Sequence, residues 1–259
     1  NGAADARLLR GQVDLTVIPA DTSGDTASLA FAWGGDVPFS GEVRASGPAS
    51  GLFAQALGAP AGDDISATLE ASGSILDWRW QTDVTSGDET VLNARGALND
   101  GVYATSGALQ LQRWRILQPL AKRLGTALRI EGRYDVNGAL TARAEADTGV
   151  IEISGLVSEL SNRATIDDFR ADIGGLAPSK LLGVSALEMP EIALAGQLDL
   201  GAETQAFDGV ISIPLLKYGS VSASTLRSTG QLTHMDGVIG IAAQLTSQSI
   251  TGLPSALDE

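Results

Sequence analysis

Side-chain alternation is the feature that most narrows what this chain can fold into. Run after run places apolar residues at every second position with polar ones between them, the pattern of a strand with one dry and one wet face. Val13, Leu15 and Val17 alternate with Gln12, Asp14 and Thr16. Ile65, Ala67, Leu69 and Ala71 alternate with Ser66, Thr68 and Glu70. Trp78 and Trp80 flank Arg79, Leu128 and Ile130 flank Arg129, and Ile151 and Ile153 flank Glu152. Ile192, Leu194, Leu198 and Leu200 share one parity; Ile211, Ile213 and Leu215 form another run, and Ile239, Ile241, Ala243 and Leu245 a third. A parallel sheet covered by helices would show continuous aliphatic strands and long crossover helices instead. The pattern therefore predicts a mainly β chain, built as an antiparallel meander with one apolar face.

Turn residues separate the runs roughly every 10–15 residues, the spacing of such a meander. Ser23-Gly24-Asp25, Ser86-Gly87-Asp88, Asn99-Asp100-Gly101, Asn137-Gly138 and Asp236-Gly237 are the clearest. Asn-Gly and Asp-Gly pairs suit type I′ hairpin turns, whose central residues both need positive φ. Three segments break the alternation in one common way: Pro48 to Gly58, Pro119 to Gly125 and Pro178 to Gly183 each begin with Pro and end Leu-Gly. That is the signature of a short helix, with Pro in the first turn and Gly as the left-handed stop. Leu253-Pro254 resembles a fourth start. The recurrence, at intervals of about 60–75 residues, predicts a repeat architecture. The expected units are 1–58, 59–125, 126–183 and 184–259.

Composition closes off several kinds of chemistry. The 259 residues carry a formal charge of -14, the wrong sign for nucleic acid and for anionic headgroups. There is no Cys, which excludes disulfides, thiolate metal sites and cysteine nucleophiles. The one histidine, His234, beside the Asp236-Gly237 turn, reads as a surface residue at a strand end. The adjacent pairs Asp63-Asp64 and Asp167-Asp168 cannot converge as a catalytic dyad if each lies on a strand, because neighbouring strand residues point to opposite faces. No phosphate-binding glycine loop, nucleophile elbow or calcium loop occurs. The expectation is a protein without catalytic residues, metal or cofactor. No apolar run reaches about 18 residues, the length a spanning helix needs. The start at Asn1-Gly2-Ala3-Ala4, with no initiator Met, reads as part of something longer.

The layout resembles the repeats of the TamB / AsmA-like superfamily of Gram-negative envelope proteins, relatives of the bridge-like lipid-transfer proteins. The resemblance is carried by Leu117-Gln118-Pro119-Leu120-Ala121-Lys122-Arg123-Leu124-Gly125 followed by Leu128 to Gly132. Asp167-Asp168-Phe169-Arg170, leading through Leu176-Ala177-Pro178 to Leu194-Ala195-Gly196-Gln197-Leu198, carries it a second time. It implies a long half-open sheet, curved like a taco, with an apolar concave face and short amphipathic helices between repeats. It also implies a periplasmic location, an inner-membrane anchor in the parent protein, phospholipid acyl chains as cargo, and a TamA-like outer-membrane barrel as a partner of other regions. The residues expected to line the apolar groove are Leu69, Trp78, Trp80, Leu128, Ile130, Ile192, Leu194, Ile211, Ile213 and Ile241.

Two other readings stand beside this one. A β-solenoid adhesin or autotransporter passenger would also be acidic, Gly-rich and Cys-free, but with tighter repeats and fewer helices. A carbohydrate-binding β-sandwich would use Trp78 and Trp80 as stacking platforms.

Overall fold

The computed structural model describes residues 11–17, 24–34, 37–58, 63–160, 163–175, 184, 186–201, 204–235 and 237–252. The helices expected at Pro178 to Gly183 and from Leu253 lie outside them. The chain divides into two compact units, residues 1–131 and 132–259.

The first unit is a simple meander. Its strands are β1 (Gly11–Val17), β2 (Thr26–Gly34), β3 (Val37–Gly47), β4 (Ile65–Gly73), β5 (Trp78–Ser86), β6 (Glu89–Asn99) and β7 (Val102–Gln110). Each pairs antiparallel with the next. A short helix, α1 (Leu52–Leu57), interrupts the run between β3 and β4. Two 3-10 turns, Leu111–Arg113 and Arg115–Leu117, and helix α2 (Gln118–Leu124) follow β7. Strand β8 (Ala127–Asp135) then leads into the second unit.

The second unit comprises β9 (Ala139–Ala146), β10 (Gly149–Leu160), β11 (Arg163–Gly174), β12 (Leu187–Glu188), β13 (Glu191–Gly201), β14 (Thr204–Tyr218), β15 (Val221–Met235), β16 (Val238–Thr246) and β17 (Ser249–Thr251). The ladder runs β9-β10-β11-β13-β14-β15-β16, all antiparallel. Strands β12 and β17 pair with the remaining ends of β14 and β15. Within each unit the outermost strands of the ladder do not meet among the described residues, so the fold is an open antiparallel sheet with few, short helices.

Local chemistry accounts for most junctions. Asp100 (φ 49) and Gly101 (φ 74) form the two-residue turn between the paired Asn99 and Val102, as a type I′ hairpin requires. Asn137-Gly138 corrects the expectation of a second such turn: only Gly138 has positive φ. Asp135 Oδ1 accepts hydrogen bonds from the backbone N–H of Asn137 (2.8 Å) and Ala139 (3.0 Å), so an aspartate side chain closes this turn. Helix α1 ends at Gly58 in the left-handed conformation, as expected, but begins later than Pro48. Pro48 to Gly51 is a separate turn, in which Gly51 N–H bonds Pro48 C=O at 2.8 Å. In α2, Pro119 does occupy the first turn.

Candidate apolar binding face

Side chains at directly paired positions of a sheet point to the same side, so the register sorts every residue onto a face. In the first unit one row across β1 to β7 reads Leu15, Leu29, Val43, Leu69, Thr82, Ala94, Gly107. The row beside it reads Val13, Phe31, Gly41, Ala71, Trp80, Gly96, Thr105. The opposite face carries Asp14, Ala30, Glu42, Glu70, Gln81, Arg95 and Ser106 at the intervening positions. One face is thus almost wholly apolar and the other almost wholly polar.

Among the described residues the apolar face is covered at one end of the strands only. There α1 and the 3-10 turns lie over it, burying Ala54, Ile65, Val84, Val91 and Trp114. Val91 reaches this core through a β-bulge: Val84 pairs with Leu92 but Thr85 with Thr90, leaving Val91 as the extra residue. Asp25, 1% exposed, holds the covering helix in place. Its carboxylate accepts the N–H of Leu52 (2.5 Å) and of Phe53 (3.5 Å), supplying the N-terminal cap that Gly51 cannot. A Cβ on Gly47 or Gly51 would overlap that carboxylate, which explains both glycines. At the other end of α1, Gly58 C=O accepts the N–H of Arg115 at 2.7 Å, tying helix to 3-10 turn.

Away from that end, nothing within the unit covers the face over β1 to β4 among the described residues. Val13, Leu15, Leu29, Phe31, Trp33, Val43 and Leu69 are 36–53% exposed. Contiguous apolar side chains left open to this degree make this face the candidate binding surface. The aromatic rings on this face lie down on glycines of the neighbouring strand: Trp33 over Gly11, Phe31 over Gly41, Trp80 over Gly96. The Trp80 indole N–H donates to the Tyr103 hydroxyl at 3.1 Å, and Trp78 and Tyr103 pack with ring centres 6.0 Å apart. These rings serve as smooth walls bound to the sheet.

The second unit has the same two-faced construction with a different outcome. Its apolar rows include Ile153, Ala171, Leu194, Ile211 and, four positions along the strands, Ile166, Leu198, Phe207, Leu232, Ile241. Between them runs Phe169, Gly196, Gly209, Gly230, Ala243. A bulge at Asp167-Asp168, with Asp168 at φ 49, lets Ile166 and Phe169 share a face despite their unlike parity. Phe169 and Phe207 meet edge to face at 6.0 Å and are each only 7% exposed. They centre a core with Ile166 and Ala171, so this part of the face is filled by the protein itself. Beyond Phe207 the glycine row continues as a shallow, open furrow, with Gly209, Gly230 and Ala243 among its floor and Ile241 on its outer side.

The expected groove residues fall accordingly. Leu69, Trp78 and Trp80 lie on the first unit's apolar face, and Ile192, Leu194, Ile211, Ile213 and Ile241 on the second unit's. Leu128 is half-buried and Ile130 exposed on β8. The exposed residues of β1 to β3 belong to the same surface but were absent from that set, although the alternation at Val13 and Leu15 is plain in the sequence. The register alone joins Leu15 and Leu29 to Leu69.

The remaining candidates separate. His234 is exposed at the end of β15. Asp167 accepts from Gln197 Nε2 (2.5 Å) and Ser158 Oγ (3.3 Å), while Asp168 is the exposed bulge residue, so the two carboxylates play different structural parts. Among the described residues no group of three or more His, Asp or Glu could hold a metal ion, and no helix is long and apolar enough to cross a membrane. Comparisons with protein-family models, with curated proteins and with solved structures return no match.

Proposed function

We propose that this chain is a segment of a TamB / AsmA-like envelope protein whose open apolar face carries phospholipid acyl chains between the inner and outer membranes. One observation carries the reading: the row Leu15, Leu29, Val43, Leu69 stands open beside Val13, Phe31 and Trp33 on a sheet whose other face is polar. A surface of aliphatic and ring side chains without directed polar groups suits hydrocarbon tails, each buried methylene contributing about 0.8 kcal/mol. The headgroup would remain in water, which suits a strongly acidic chain. The same reading puts the chain in the periplasm, joined in the parent protein to an inner-membrane anchor and, through other regions, to the assembly of outer-membrane proteins by a TamA-like barrel.

The test is native mass spectrometry of the chain purified from a Gram-negative periplasm under gentle extraction. Bound phospholipid is expected for the native chain, with loss of most of it in the Val43→Glu, Leu69→Glu double variant. Lipid-free native chain, or undiminished lipid in a folded double variant, would overturn the proposal.

A further inference from the structure

The second unit's glycine row is partly occupied by the protein's own rings. Phe169 stands on the row, and the Phe207 ring leans over Gly209 so closely that a Cβ there would sit 2.9 Å from Phe207 Cζ. Past Phe207 the row is bare, and the furrow runs on across Gly230 and Ala243 toward the exposed Ile241 on β16. At Gly209 and Gly230 the floor stays bare because a Cβ would overlap a carbonyl oxygen of the adjacent strand, that of Ala195 and Ala242 respectively. The furrow is therefore a shallow surface track with a glycine-lined floor, bounded on one side by the Phe207 ring and reaching Ile241 on β16.

We infer that Phe207, braced edge to face by Phe169, is the stop that sets how far an unbranched hydrocarbon chain enters the second unit. This rests on the acyl-chain reading above and adds to it a residue that selects chain length. A straight methylene chain fits a floor of glycines because nothing projects from it, whereas a branched or ring-bearing tail would meet the walls. The buried phenyl occupies the volume the next methylenes would need, and removing it extends the track toward Gly196.

A lysophosphatidylcholine with a diazirine at the end of its acyl chain locates that end by photo-crosslinking in the full chain. With an octadecanoyl chain, crosslinks are expected at Phe207 in the native protein and at Phe169 or Gly196 in Phe207→Ala. Ala243→Phe, at an exposed position that leaves the core untouched, should cut second-unit crosslinks severalfold and leave those of the first unit unchanged. Phe207→Leu, which keeps an apolar side chain in the core, should give an intermediate advance and replaces the alanine variant if that fails to fold. Crosslinks confined to the first unit, or a chain end that stays at residue 207 when the ring is gone, would overturn the stop and leave the acyl-chain reading standing. Absence of crosslinks in both units would overturn both.

Discussion

Single residues decide whether the apolar face is open or covered. Asp25 is the clearest case, because among the described residues its carboxylate alone caps α1, the helix covering one end of the first unit's face. Asp25→Ala leaves two helix N–H groups without an acceptor and should cost about 1–2 kcal/mol, read as a lowered midpoint in chemical denaturation. Ile65 and Leu69 lie on one strand face four residues apart, yet one is in the core and the other 40% exposed. Ile65→Ala should destabilise the chain by about 2–5 kcal/mol. Leu69→Ala should cost about 1 kcal/mol or less, since little packing is lost at a site already open to water. Equal losses at the two positions would mean that Leu69 is covered in solution. Asp168 offers a separate check on the bulge: Asp168→Gly should be tolerated, whereas Asp168→Val should cost about 1–2 kcal/mol for a β-branched residue forced to positive φ.

At the scale of elements, the alternation of side chains is enough to read the strands, their two faces and the antiparallel meander; that the sheet stays open came only from the resemblance. Alternation works because period two is a geometric property of each strand by itself. What it could not show depends on neighbours. Val91 and the Asp167-Asp168 bulge shift parity within a strand, and only the partner's register shows where the extra residue falls. Asp25 caps a helix 27 residues away, too far for a local capping signature, and the glycine at the helix start pointed to no partner. The Pro-to-Gly punctuation did locate α1 and α2, but Pro48 starts a turn, not the helix, because the cap comes from Asp25. The self-filling of the second unit's face was equally hidden. Nothing in the pattern around Ile211 and Ile213 distinguishes a strand beneath two packed phenyl rings from one that faces open space.

For the whole chain, the two units use one construction in two ways. Each puts polar residues on one side of an open sheet and apolar residues on the other. The first leaves Val13, Leu15, Leu29, Val43 and Leu69 open, while the second draws Phe169 and Phe207 across its glycine row. An open apolar face is the claim on which lipid carriage depends, and the absence of native Cys allows it to be measured directly. Single cysteines placed at Val43, at Leu69 and, as a buried reference, at Ile65 can be timed against a water-soluble maleimide, with and without phospholipid. The account predicts rapid labelling at 43 and 69, slow labelling at 65, and protection of 43 and 69 alone when phospholipid is added. Labelling at 43 and 69 as slow as at 65 in the lipid-free chain would contradict it.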